Sequence, residues 1–204
     1  AFLWLLLLDA YCPFWGLLRP GVSFILLASL VWILFQPRSP SPAADWALTL
    51  AGPLYLGWVA GHFILLRNME QGLSWLILAL PTTWITDSGA YFVGLAWGRH
   101  KLWPRYSPKK TWEGAIGGLV SGVIGGVLIA WLLPDLRLVD GLVVGTLIPL
   151  LTPFGDFAIS MMKRQAGVKD SSRIIPGHGG FLDRLDTLLF AVVIVYYYAV
   201  WVTS

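Results

Sequence analysis

Of the 204 residues, 57% are hydrophobic and only 12% are charged, with a net charge of +3, 12 tryptophans and one cysteine; mean hydropathy is +0.71. This balance excludes an ordinary soluble domain and points to an integral membrane protein. The single cysteine, Cys12, excludes an intrachain disulfide and a cysteine-rich metal site, and is expected to be a small apolar packing residue.

A crossing of about 30 Å of hydrocarbon needs about 20 mostly apolar residues. Seven apolar segments follow in chain order, near 1–18, 21–36, 46–66, 73–97, 112–133, 141–163 and 185–203. They predict an all-α, polytopic bundle of about seven transmembrane helices in one transmembrane domain, 1–204. The second segment is short and follows Arg-Pro-Gly, so the first two form either a tight hairpin or one broken helix. The chain opens on Ala1 inside an apolar run with no basic leader, so a truncated N-terminus, not a signal peptide, is the expectation.

Positive charge sets the expected orientation. Five of the 14 lysines and arginines lie between Arg99 and Lys110 and five between Lys163 and Arg184, connections separated by two spans and therefore on one side. The positive-inside rule makes that side cytoplasmic; Arg38 agrees, while Arg19, Arg67 and Arg137 fall opposite.

An ionisable group within a span costs at least about 2.5 to 3.5 kcal/mol, so each one marks a candidate site. Asp87 lies in LPTTWITDSGAYFVG, Asp156 in LLTPFGDFAIS, and Asp183 and Asp186 in GGFLDRLDTLLF. Asp9, Asp45, Glu70, Asp135 and Asp140 fall at span ends or loops and read as solvated. Helical spacing puts Ser160 and Lys163 on the face of Asp156, and puts Asp183 and Asp186 on one face at the start of the last span. Acids at a helix start also serve as plain caps, an alternative that suits Asp186 alone better than all four acids together.

Carboxylates without cysteine favour a hard cation, and Mg²⁺ binds through one or two carboxylates, water and substrate phosphates. Around the acids lie Lys163, Arg164, Lys169, Arg173 and Arg184, with Lys109 and Lys110 on the other basic loop. Excess positive charge beside such a site suits a polyphosphate, although each base taken singly reads as a membrane anchor. In PGHGGF, Gly177, Gly179 and Gly180 surround His178, so backbone amides can approach an anion and the next helix begins facing the same place. His178 could donate to phosphate or assist a leaving group; a turn histidine without chemistry is the alternative.

The run SMMKRQAGVKDSSRIIPGHGGFLDRLD, from Ser160 to Asp186, closely resembles the signature of the phosphatidate cytidylyltransferase (CDP-diacylglycerol synthase) family: a serine, Lys-Arg, Lys-Asp, His-Gly-Gly, Asp-Arg and a final Asp. DSGAYFVG at 87–94 and SPKKTWEGAIGG at 107–118 look like that family's other recurrent stretches, so the resemblance places the catalytic part in 80–204. Members have more N-terminal spans, and those here are few and short. The resemblance implies transfer of a cytidylyl group from CTP to phosphatidate, giving CDP-diacylglycerol and pyrophosphate, with Mg²⁺ required and a second metal ion compatible with four acids. On that basis the catalytic residues are Asp156, Asp183, Lys163 and His178, and the metal ligands are Asp87, Asp156, Asp183 and Asp186. Substrate contacts fall to Lys110, Ser160, Arg164, Lys169, Arg173, Gly179, Gly180 and Arg184. A phosphate monoester is already an anionic nucleophile, so positioning and charge neutralisation carry the reaction.

The resemblance also implies a bacterial inner membrane with the site facing the cytoplasm, membrane lipids as neighbours and no nucleic-acid partner. Gly114, Gly118, Gly122 and Gly126, with the row Gly117, Ser121 and Gly125 beside it, permit close helix packing in lipid. Packing inside the bundle is the preferred use, and a homodimer is reasonable for the family. The tryptophans read as interfacial and lipid-facing bulk, His62 as a packed or hydrogen-bonded core residue, and Glu113 as a partner of Lys109. A CTP-dependent lipid kinase, a cytidylyltransferase for another lipid, and an ion or phosphate transporter are the alternatives.

Overall fold

A computed structural model describes residues 1–12, 16, 18–35, 40–104, 107–165, 167–168 and 182–203, without the side chains of Pro108, Leu182, Asp183 and Arg184. Seven helices follow in order: α1 (Phe2–Tyr11), α2 (Leu18–Leu34), α3 (Pro42–Asn68), α4 (Gly72–Trp97), α5 (Trp112–Leu132), α6 (Leu138–Gln165) and α7 (Leu182–Thr203). Between α4 and α5 lies a two-stranded antiparallel hairpin, β1 (Lys101–Trp103) and β2 (Ser107–Thr111), pairing Lys101 with Thr111 and Trp103 with Ser107. The predicted all-α bundle is observed, with this hairpin as an addition in the first basic loop.

Among the described residues, four helices are long and apolar enough to cross a membrane: Pro42–Asn68, Trp112–Leu132, Leu138–Gln165 and Leu185–Thr203. The protein is therefore an integral membrane helix bundle. Helix α1, at 10 residues, rises only about 15 Å and cannot span the hydrocarbon alone. Helix α4 is 26 residues long, but Thr82, Thr83, Thr86, Asp87 and Ser88 interrupt its apolar run.

The chain divides into two compact units, Ala1–Asn68 and Met69–Ser204. In the first, α1 packs on α3 where Gly57 and Gly61 leave room for Leu6 and Ala10. His62 is buried there, with Nδ1 2.9 Å from the Trp58 carbonyl oxygen, the hydrogen-bonded core role expected of it. Cys12 is free and half-buried.

The second unit is organised around α5, whose two small-residue rows are both used inside the unit. Gly117, Ser121 and Gly125 face Val93, Gly89 and Ile85 of α4. Gly122 lies between Thr86 of α4 and Gly145 of α6, where an added Cβ would sit 2.5 Å from Thr86 Oγ1 and 3.0 Å from the Gly145 oxygen. Farther along, Gly126 and Gly141 meet so closely that a Cβ on either would strike the other's backbone oxygen. Small residues give backbone-to-backbone contact where lipid supplies no hydrophobic drive for association. Trp84, Trp97, Trp112, Trp131 and Trp201 are each more than half exposed, as bulk toward lipid and interface requires.

At the end of this unit away from the hairpin, a polar knot closes the bundle. Asp140 is 2% exposed and accepts from the Arg137 backbone N at 2.8 Å, Arg137 Nη2 at 2.9 Å and Tyr198 Oη at 2.9 Å. Ser74 Oγ donates to Asp135 at 2.6 Å, and Trp75 stacks edge-on to Tyr198 with centroids 5.9 Å apart. The expectation that Asp140 is solvated is thus overturned: its position at a span end concealed a buried carboxylate whose oxygens are satisfied by α7 and its own first turn. Tyr198→Phe leaves Asp140 one donor short in a buried setting, and we expect about 1 to 3 kcal/mol of destabilisation. Unfolding of the purified protein in detergent measures this, and unchanged stability would show that the bond contributes nothing.

Candidate active site

Asp156 is placed two turns before the end of α6 by a helix that carries Gly155 directly beside it. That glycine sets the α6–α7 distance: an added Cβ would be 2.6 Å from the Asp186 carbonyl oxygen and 2.6 Å from the Phe190 ring. The absence of a side chain lets the α7 backbone at Asp186 close on α6 beside Asp156, so the two carboxyl groups feel each other's charge. Asp186 is 7% exposed, and its Oδ1 also accepts from the Thr187 backbone N at 2.7 Å. Thr187 Oγ1 reaches across to Asp87 Oδ2 of α4 at 3.3 Å. Three of the predicted acids therefore meet at one end of the unit, contributed by three different helices.

The counter-charge comes from the hairpin. Lys110 Nζ lies 2.5 Å from Asp156 Oδ2 and 4.8 Å from the centre of the Phe157 ring. Phe157 in turn packs on Trp103 of β1, with centroids 5.2 Å apart, so both strands rest on α6 beside Asp156. Ser160 Oγ donates to Asp156 Oδ1 at 3.3 Å, the contact that i, i+4 spacing predicts. Lys163 is half-buried one turn farther and Arg164 is exposed at the helix end.

Lys169, Arg173, His178, Gly179 and Gly180 lie outside the described residues, as do the side chains of Asp183 and Arg184. The backbone of Asp183 belongs to the first turn of α7, three residues before Asp186, so the two positions share a helix face. Among the described residues, no group of three His, Cys, Asp or Glu side chains is close enough to hold a metal ion by itself.

The pairing of Glu113 with Lys109 is not formed. Glu113 Oε1 lies 2.6 Å from His100 Nδ1, and Oε2 accepts from the backbone N of Arg99 at 3.1 Å and of His100 at 3.2 Å. Lys109 lies in strand β2, before α5 begins, so helical spacing does not apply to it, and the hairpin brings residues 99 and 100 to Glu113 instead. Thr187 and Phe157 went unnoticed in sequence because each matters only through a tertiary contact. Pairing of Asp156 with Lys110 likewise depends on the hairpin fold.

These features define a class: a helical integral membrane protein with a carboxylate cluster, Lys110 paired with one of the acids, and basic residues at the neighbouring helix end. The chain matches the model of the Cytidylyltransferase family over residues 1–202. It is 44% identical over 184 residues to a phosphatidate cytidylyltransferase of Brucella suis, covering 86% of this chain and 63% of that protein. A phosphatidate cytidylyltransferase of Bacillus subtilis is 36% identical over 204 residues, covering 96% of this chain and 74% of the relative. One from Thermotoga maritima is 34% identical over 209 residues, with 96% and 76% covered. The chain belongs to the cytidylyltransferase family, and it spans just under two thirds of the length of the Brucella relatives it matches.

Gly155→Val inserts bulk against the Asp186 backbone and Phe190, and overpacking of this kind costs about 1 to 3 kcal/mol. We expect that loss in detergent unfolding, whereas Gly52→Ala, at a position with nothing within 4 Å, should be neutral or stabilising. Equal tolerance of the two substitutions would contradict the α6–α7 contact.

Proposed function

We propose that the chain transfers the cytidylyl group of CTP to phosphatidate, forming CDP-diacylglycerol and pyrophosphate. The observation that carries this reading is the position of Asp156, set between the Lys110 ammonium and the Asp186 carboxyl group at the junction of α6, α7 and the hairpin. The names of the relatives support the substrate assignment. A phosphatidate oxygen attacks the α-phosphorus of CTP, a new P–O bond forms, and the bond from that phosphorus to the bridging oxygen breaks to release pyrophosphate. The nucleophile is already anionic, so the protein has to hold two anions together and disperse the charge of the leaving group.

Mg²⁺ fits the donor set. All the acids offer hard oxygen ligands, and neighbouring carboxylates on α4, α6 and α7 repel one another unless a cation stands among them. Asp156 and Asp183 would hold it, with Asp87 and Asp186 as further ligands or supports, and a second ion is compatible with four acids. When bound, it supplies Lewis-acid stabilisation of phosphate charge. Lys110, Lys163, Arg164, Lys169, Arg173 and Arg184 hold phosphate oxygens, and His178 with Gly179 and Gly180 receives the pyrophosphate end. Ser160 keeps Asp156 oriented through its hydrogen bond.

The membrane in this reading is the bacterial inner membrane, with the hairpin and the 163–184 segment on the cytoplasmic side. Helix α4 crosses with the four long apolar helices, its Asp87 joined to α7 at the acidic cluster through Thr187, while α1 does not cross alone. Lipids surround the bundle, and a homodimer is compatible with the glycine rows already being used internally.

The test is formation of CDP-diacylglycerol and pyrophosphate in equal amounts from CTP and phosphatidate by the purified chain in detergent. We expect dependence on Mg²⁺, abolition by chelation, and a loss of at least about 100-fold in Asp156→Asn and Asp183→Asn, as for removal of a principal electrostatic group. Product from CTP with a polyprenol or an ether lipid but not phosphatidate would replace the acceptor. Turnover unaffected by both substitutions would remove the site.

A further inference from the structure

We propose that Glu113 is a positioning residue that aims Lys110 at the acidic cluster, by clamping the base of the hairpin to the first turn of α5. This rests on the functional reading above, which assigns Lys110 to the site but leaves open what holds it there.

Lys110 reaches Asp156 from the end of β2, immediately before the helix that Thr111 caps by accepting from the Gly114 backbone N at 3.2 Å. A hairpin of three and five residues is too short to be stable by itself, so its direction must be set by what it is tied to. One tie is at the tip side of β1, where Trp103 rests on Phe157. The other is at the base. The Trp112 backbone N donates to the His100 carbonyl oxygen at 2.9 Å, and Glu113 receives the two backbone N–H groups of Arg99 and His100 together with the His100 ring. Gly98 lets the chain leave α4 against this joint: a Cβ there would come within 2.7 Å of Thr111 Oγ1.

Glu113 thus joins the residues just before β1 to the residues just after β2. Those are the two ends whose separation decides where Lys110 points. An acid in the first turn of a helix also favours the helix dipole in a general way. That role needs charge alone, whereas clamping two backbone N–H groups needs an acceptor at the full length of the glutamate side chain.

Two conservative variants separate the roles. Glu113→Gln keeps the reach and an acceptor oxygen, and its amide can donate to a neutral His100 ring, but it loses the charge. Glu113→Asp keeps the charge and is one methylene too short. With CTP, phosphatidate and Mg²⁺, we expect Glu113→Gln to retain kcat/KM within about 3-fold and Glu113→Asp to lose about 10-fold, at the low end of the effects seen for groups that orient a site residue. In a Lys110→Ala background, Glu113→Asp should cost less than about 2-fold more, because a residue acting through Lys110 has nothing left to aim. Comparable elution on size exclusion and comparable unfolding midpoints establish that both single variants are folded.

The reverse order, with aspartate active and glutamine impaired, would overturn the proposal in favour of a dipole role. A full 10-fold loss on top of Lys110→Ala would overturn it too, since Glu113 would then act independently. Neither result touches the functional reading, which fails separately if the unsubstituted chain forms no CDP-diacylglycerol.

Discussion

A carboxylate carried into an apolar bundle has to be neutralised or hydrogen-bonded, and in this protein that requirement falls on Asp156. Its two oxygens are shared out, Oδ2 to the Lys110 ammonium and Oδ1 to the Ser160 hydroxyl, while the α7 backbone at Asp186 packs against the neighbouring Gly155. Lys110 and Asp156 are each partly exposed, 34% and 23% at the side chain, so the pair ties the hairpin to α6 while staying within reach of water. Among the described residues it sets the tethered Lys110 ammonium against an acidic cluster, an arrangement that phosphate groups and a hard metal ion could rearrange.

Backbone proximity makes that arrangement reachable. Gly155 lets α7 approach Asp156, and the paired rows on α5 let α4 and α6 approach each other through Thr86, Gly122 and Gly145. At the far end, Asp140, Arg137 and Tyr198 hold the same helices by satisfied polar contacts. The second unit is thus held at one end by the Asp140–Arg137–Tyr198 contacts and carries at the other the acidic cluster joined to Lys110.

Apolar runs made the long helices legible: the segments at 46–66, 73–97, 112–133, 141–163 and 185–203 correspond to α3 through α7 within a few residues. The opening run at 1–18 was less readable, because Pro13 and Gly16 interrupt a stretch whose average hydropathy stays high, and the helix ends at Tyr11. Local geometry also gave the Asp156–Ser160 contact, since both residues lie on one helix. Lys110 could be grouped with the acids only as a neighbouring base, because the hairpin that delivers it is short, charged and without strict alternation. Asp140 read as solvated because an acid at a span end has the same local sequence context whether water or a tyrosine from another helix satisfies it. Glu113 was matched to the wrong partner for a related reason: helical spacing favours Lys109, and only the folded hairpin brings His100 closer.

The central claim is that Asp156 and its neighbours bind a divalent cation where the nucleotide binds. Electron paramagnetic resonance of Mn²⁺, used in place of Mg²⁺, counts bound ions directly in the purified protein with and without CTP. The account predicts saturable Mn²⁺ binding that tightens with CTP and is lost in Asp156→Asn, while Tyr198→Phe at the opposite end retains it. Mn²⁺ binding that is unchanged in Asp156→Asn would contradict the assignment of this cluster as the catalytic centre.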